Sequence, residues 1–132
     1  MAALDTNVLV RYIVRDDAKQ LLAARRLFQR CIDEEQTLHV PVTVSIELEW
    51  VLRSNFGFGK VEVIEIFSQL LSTTELCFAS EGALEHALSA YSKGAADFAD
   101  CLHVALAALA GESPLWTFDK GASKVDGASH LA

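Results

Sequence analysis

Gly94-Ala95-Ala96-Asp97-Phe98-Ala99-Asp100-Cys101-Leu102-His103-Val104-Ala105-Leu106-Ala107-Ala108-Leu109-Ala110-Gly111 is the stretch on which the reading of this chain turns. Its body is apolar on nearly every side, whereas a surface helix alternates an apolar stripe with a charged one, so the stretch predicts a helix buried in the middle of the domain. Only its first turn is charged. Asp97 and Asp100 stand three apart, which on a helix sets both carboxylates on one face, at the end where backbone N–H groups point outward. Capping is one explanation, since Asp97 suits an N-cap and a second acid in the first turn gains from the helix dipole. The other is that the two acids help to hold a cation. That explanation requires further lone acids at the ends of apolar strands.

Two such acids exist. Ala2-Ala3-Leu4 ends at Asp5, followed by Thr6-Asn7 and the run from Val8 to Ile13, the pattern of a buried strand breaking into a helix. Leu115-Trp116-Thr117-Phe118, after Gly111 and Pro114, ends in the same way at Asp119. In open α/β sheets the C-terminal ends of strands are where ligands bind. Asp5 has a structural alternative as the cap of the next helix, but Thr6 and Asn7 beside it can cap equally well.

Between these ends, strands alternate with helices. Asp17 opens a helix with Ala18, Leu21, Leu22, Ala24, Phe28, Cys31 and Ile32 inward and Arg25, Arg26 and Arg30 on its other face, stopping at Asp33-Glu34-Glu35. Residues 37–42 read as a second strand, with Pro41 tolerable at its end or on an edge and His39 as an ordinary sheet residue. Thr43 is expected to cap a helix over 44–53 whose apolar face runs through Val44, Leu48, Val51 and Leu52. Glu47 leans into that face, which is costly unless the carboxylate is paired or bound to metal, while Glu49 reads as solvated surface. Phe56-Gly57-Phe58-Gly59 is a connection packed on the core or a contact for a base or a partner chain. Val61, Ile64, Phe67, Leu70 and Leu71 mark an amphipathic helix, and 75–79 a third strand. Ser80 opens a helix with Leu84, Ala87, Leu88 and Tyr91 inward and His86 toward solvent, closing at Lys93-Gly94. The Gly/Ser/Ala-rich tail from Lys120 to Ala132 holds one short edge strand at its end, and there are no repeats or linkers. The pattern predicts an α/β fold, a mostly parallel central sheet of four or five strands flanked by helices on both sides. Such a sheet carries Asp5 and Asp119 to the same edge as the N-termini of the helices bearing Glu47 and Asp97/Asp100.

Composition bounds the rest. At 132 residues and 52% hydrophobic, residues 1–132 make one domain with a real core. No apolar run approaches bilayer length and no signal peptide is recognisable, so a cytoplasmic location is expected and no membrane partner. Cys31, Cys77 and Cys101 read as reduced core residues. The net charge of −7 weighs against a nucleic-acid partner at first sight, yet seven of the eleven basic residues (Arg11, Arg15, Lys19, Arg25, Arg26, Arg30, Arg53) fall in the first 53 positions. Acids gathered on a divalent ion would also invert the local field and attract phosphate.

Five acids so placed have no Lys, Arg or His at motif-like spacing to neutralise them, and like charges within a few ångströms cannot all ionise without a cation. Oxygen-only ligands select Mg²⁺ or Mn²⁺ over zinc, as one or two ions. Carboxylates around such ions are equipment for attack of water on a phosphodiester.

Leu4-Asp5-Thr6-Asn7-Val8-Leu9 resembles the opening motif of PIN-domain ribonucleases. Glu47 in Val-Ser-Ile-Glu-Leu-Glu-Trp-Val-Leu-Arg resembles their second acidic motif, Asp97-Phe98-Ala99-Asp100 the third and Thr117-Phe118-Asp119 the fourth. The order and spacing match along nearly the whole chain, and within the family the likeness is to VapC-type toxins of type II toxin–antitoxin systems. The resemblance implies a three-layer α/β/α fold, metal-dependent hydrolysis of RNA, inhibition by a small antitoxin protein, and a homodimer. It implies that Asp5, Glu47, Asp100 and Asp119 are catalytic and carry the metal with Asp97 as an additional ligand, and that Asn7 and Thr117 orient carboxylates or water.

Other classes fit less well. A phosphatase of the haloacid dehalogenase type needs a second Asp where Asn7 stands, a receiver domain needs paired acids and a late Lys-Pro, and no glycine loop for nucleotides is present. A non-catalytic PIN-like interaction module is the alternative outside the enzymes, as is a metal-dependent phosphohydrolase of another type within them.

Overall fold

The computed structural model describes residues 2–132, which divide into two units, one up to Ala79 and the other from Ser80 to Ala132. The first contains β1 (Ala2–Ala3), α1 (Thr6–Val14), α2 (Ala18–Asp33), β2 (Leu38–Val40), α3 (Val42–Ser54), α4 (Lys60–Leu71) and β3 (Leu76–Phe78). Its strands form a parallel sheet in the order β1-β2-β3, with Ala2 opposite Leu38 and Leu38 opposite Leu76. Parallel neighbours need crossover connections, which here are helices.

Local chemistry sets the ends of these helices. Asp17 caps α2, its carboxylate accepting from the Gln20 N–H at 3.0 Å, as its position ahead of the apolar periodicity requires. α1 stops at Arg15, whose φ of 61° is left-handed, and Arg11 beside the stop pairs with Asp16 at 2.9 Å. Tyr12 of α1 meets Phe28 of α2 with ring centroids 4.5 Å apart. Pro41 rather than Thr43 is the N-cap of α3, because a proline's fixed φ already turns the chain out of the strand. In α4 Val63, Phe67 and Leu70 are buried while Val61 is exposed, so the inward face is rotated from the expected one. Phe56 and Phe58 are half-buried, the packed-loop alternative for their connection. Cys77 is exposed, unlike Cys31 and Cys101, because on β3 it alternates with buried Leu76 and Phe78.

The second unit contains α5 (Glu81–Lys93), α6 (Phe98–Leu109), β4 (Leu115–Thr117), α7 (Lys120–Ser123) and β5 (Ala128–His130). β4 and β5 pair in parallel, Leu115 opposite Ala128 and Thr117 opposite His130, so the short tail strand exists where the sequence puts it. All strand pairs are thus parallel, five strands hydrogen-bonded as three and two. α5 closes at Gly94, whose N–H returns to Ala90 O at 3.1 Å, and its Tyr91 packs edge-on against Phe98 with centroids 5.6 Å apart. α6 buries Phe98, Cys101, Leu102 and Val104, and burial of a ring such as Phe98 is worth about 1.5–3 kcal/mol. Its C-terminal end departs from the expected all-round burial: Ala108 and Ala110 are exposed and Leu109 is 66% exposed. Among the described residues no helix is long and apolar enough to cross a membrane.

Candidate functional site

Asp97 is the N-cap residue of α6 by backbone conformation, and its carbonyl receives the Cys101 N–H at 3.0 Å. Its side chain nevertheless makes no capping hydrogen bond. Capping therefore does not account for this exposed carboxylate. Asp100, one turn into the helix, is half-buried, and three influences hold its carboxyl above the usual carboxylate range: burial first, then the charge of Asp119, then that of Asp97. Asp97 and Asp119 thus both act on Asp100.

One cation opposes them. His103 pulls the Asp100 carboxyl back down, standing three residues further along α6. This corrects the expectation that no basic side chain at motif-like spacing accompanies the acids. The signal was present as Asp-x-x-His, a helical i, i+3 pair.

Asp119 follows β4 and is locked from three directions. Its carboxylate Oδ1 accepts from the Ala122 N–H at 2.9 Å and so caps α7. Its own N–H donates to Thr117 Oγ1 at 3.0 Å, so Thr117 grips the main chain of Asp119 rather than its carboxylate. A Cβ at Gly121 would come within 3.2 Å of Oδ1, and glycine there leaves the carboxylate its room.

In the first unit Asp5 is exposed and caps α1, with Oδ1 accepting from the Thr6 N–H at 2.6 Å. Asn7 is exposed two positions on. On α3 the two glutamates exchange the surroundings expected of them: Glu47 is exposed, and Glu49 is buried at 5% exposure. The face α3 turns inward runs through Ser45, Leu48, Glu49 and Leu52, one position round from the expected one, and Arg53 four residues later meets Glu49 at 2.9 Å. α1 and α3 pack against each other. Each buries a hydroxyl without a hydrogen-bond partner, Thr6 Oγ1 next to Asp5 and Ser45 Oγ two residues from Glu47.

The structure therefore sets Asp97 and Asp119 near enough to Asp100 to raise its carboxyl, and Asp5 and Glu47 on packed elements of the other unit. Among the described residues no three His, Cys, Asp or Glu side chains have the arrangement that would hold a metal ion. In kind the donors suit a hard cation, being carboxylates and hydroxyls, with Asp100 keeping its proton more readily through its burial and the crowding of like charge. A cleft of about 580 Å³ between α5 and α6 contains none of the five acids.

Residues 2–128 match the PIN domain family. The chain belongs to the PIN domain family. The α/β fold with parallel strands that the sequence predicts is the one this family carries, and the acidic motifs fall within the matched region. The PIN domain is also 26% identical over 102 residues to the VapC ribonuclease of Aquifex aeolicus (strain VF5), an alignment covering 77% of this chain and 75% of that protein.

Proposed function

We propose that this PIN domain, working as one domain over residues 1–132, is a metal-dependent endoribonuclease and the toxin of a type II toxin–antitoxin pair. Membership of the family and similarity to a VapC ribonuclease support the reaction class. The observation that carries the site is Asp100, whose carboxyl is raised by its burial and then by the charges of Asp119 and Asp97. Carboxylates that disfavour each other's charge are stabilised together by a cation, and oxygen donors select Mg²⁺ or Mn²⁺.

In this reading Asp5, Glu47, Asp100 and Asp119 hold one or two ions and Asp97 adds a further oxygen. The ion, when bound, supplies a lowered pKa for the attacking water and neutralises charge developing on the phosphate. Asp5 and Asp119 enter with their carboxylates already fixed by the backbone of α1 and α7, so little ordering remains to be done on binding. Thr117 fixes the chain under Asp119, and Asn7 is placed to orient a carboxylate or water on the α1 side. Cytoplasmic RNA is the substrate, a small antitoxin the inhibitor and a homodimer the assembly.

Protein purified free of antitoxin should cut single-stranded RNA with Mg²⁺ or Mn²⁺ and not in EDTA. Asp5→Asn and Asp119→Asn should each lower the rate about 10²–10³-fold, the scale of losing one pre-positioned electrostatic group. Undiminished cleavage by both folded variants would remove the assignment. The adjoining reading frame should encode a small DNA-binding protein that co-purifies with the PIN domain and blocks cutting.

A further inference from the structure

Along β4 the exposures alternate. Leu115 and Thr117 are half-buried, Trp116 is 62% exposed, and Phe118, one step past the strand, is 74% exposed. Trp116 leaves β4 on its open side, and Phe118, at the bend that follows, is open to solvent as well. Rings of this size carry the largest apolar area a fold can hide, and two neighbours in water require a reason.

Their position supplies one. Phe118 immediately precedes Asp119, and the main chain that bears both rings is fastened on each side. Thr117 O accepts from the Leu131 N–H at 2.8 Å, Phe118 O lies 3.2 Å from His130 Nε2, and Asp119 caps α7. The rings thus stand at a fixed place beside an acid of the candidate site.

Charge narrows the ligand. From Ser80 onward the only basic residues besides histidine are Lys93, Lys120 and Lys124, against seven acids (Glu81, Glu85, Asp97, Asp100, Glu112, Asp119, Asp126). Apart from Lys120 and Lys124, this unit offers a polyanion few counter-charges near Asp119. Stacking of bases on aromatic faces is the contact with single-stranded nucleic acid that needs no cation, and it tolerates every base because each has a π face.

We infer that Trp116 and Phe118 form a stacking platform for the bases of single-stranded RNA, setting the phosphate to be cut against Asp119. The inference rests on the nuclease reading above and adds to it the part that holds substrate.

The test measures binding apart from cutting. Asp119→Asn protein, with Mg²⁺ present, is titrated with a mixed-sequence 12-nucleotide oligoribonucleotide. Trp50→Phe is added so that Trp116 is the one remaining indole of the two in the chain. The RNA should quench Trp116 emission, and the same oligomer with abasic riboses should not. Trp116→Ala and Phe118→Ala should each weaken binding about tenfold, within the range measured for base stacking, with Trp116→Phe and Phe118→Tyr restoring most of it. In the cutting enzyme the alanine variants should lower kcat/KM about tenfold, and the conservative variants should restore most of it.

An unquenched Trp116, equal affinity for the abasic oligomer, or alanine variants that bind as tightly as the parent would overturn the platform. Loss of self-association or of antitoxin binding with RNA affinity unchanged would give the face to protein and overturn it as well. Quenching without cleavage by the wild type would sink the nuclease reading and leave the platform. Cleavage without quenching would do the reverse.

Discussion

Glu49 and Asp100 are both acids on helices, and the two units treat them in opposite ways. In the first unit Glu49 is hidden and answered by Arg53 at 2.9 Å. In the second, Asp100 is half-open to water, and its carboxyl is raised by that partial burial and then by two more acids, with His103 opposing. A buried carboxylate with its guanidinium is complete as it stands, since the pair satisfies the charge that burial would strand. Crowded carboxylates at a surface are incomplete. In the proposed reading, Glu49 with its guanidinium is the structural acid and the crowded Asp100 a functional one.

The sharpest way to break that contrast is to neutralise one member of each kind. Asp100→Asn should cut RNA cleavage about 10²–10³-fold, the loss of one pre-positioned charge, while Glu49→Gln leaves the rate within about twofold. Initial rates on one labelled RNA decide it, and equal losses in the two variants would erase the distinction. Stability should divide the other way. Glu49→Ala removes a buried partner of Arg53 and should cost about 1–2 kcal/mol, a fall of roughly 3–6 °C in Tm by calorimetry, whereas Asp100→Asn should cost nothing.

The inward-facing positions explain why the sequence suggested the reverse for α3. Apolar periodicity draws the face through Val44, Leu48 and Val51, and it places Glu47 beside them. The fold instead buries Ser45 and Glu49, a small residue and a paired one, which no apolar count would choose. The pair was legible only as Glu-x-x-x-Arg. Cys77 was misplaced for a similar reason, apolar neighbours outweighing the two-residue period of β3. What reads well is what is decided within a few residues: Asp17 and Gly94 as helix ends, Asp5 and Asp119 at strand ends, β5 in the tail. The influence of Asp119 on Asp100 depends on how β4 returns past α6, and spacing alone does not encode that path.

Two smaller effects sharpen the comparison further. Mg²⁺ at about ten times its Kd should stabilise the wild type by about 1.4 kcal/mol, and the gain should shrink in Asp100→Asn and Asp119→Asn but survive in Glu49→Gln. A thermal shift equal in all four proteins would place the ion elsewhere. In EDTA the sign for Asp100 follows from linkage. Its folded-state carboxyl is raised, so the folded protein binds the proton more readily and loses stability as pH rises through the folded value. Asp100→Asn should then melt about 1–3 °C above wild type at neutral pH, a modest gain because solvent screens the repulsion, and the gap should close below the ordinary carboxylate range. A gap that widens on acidification would contradict the repulsion.

Asp5 and Asp119 each commit Oδ1 to a backbone N–H, at 2.6 and 2.9 Å. Each therefore leaves Oδ2 as the oxygen without a backbone donor, while Oδ1, with one lone pair taken, keeps another. Calcium builds its larger, irregular shell partly from bidentate carboxylates, while magnesium takes single oxygens at octahedral corners and keeps water on the rest. In the proposed reading, the helix caps bias each of these acids toward meeting an ion through one oxygen, the mode magnesium uses, before any metal arrives.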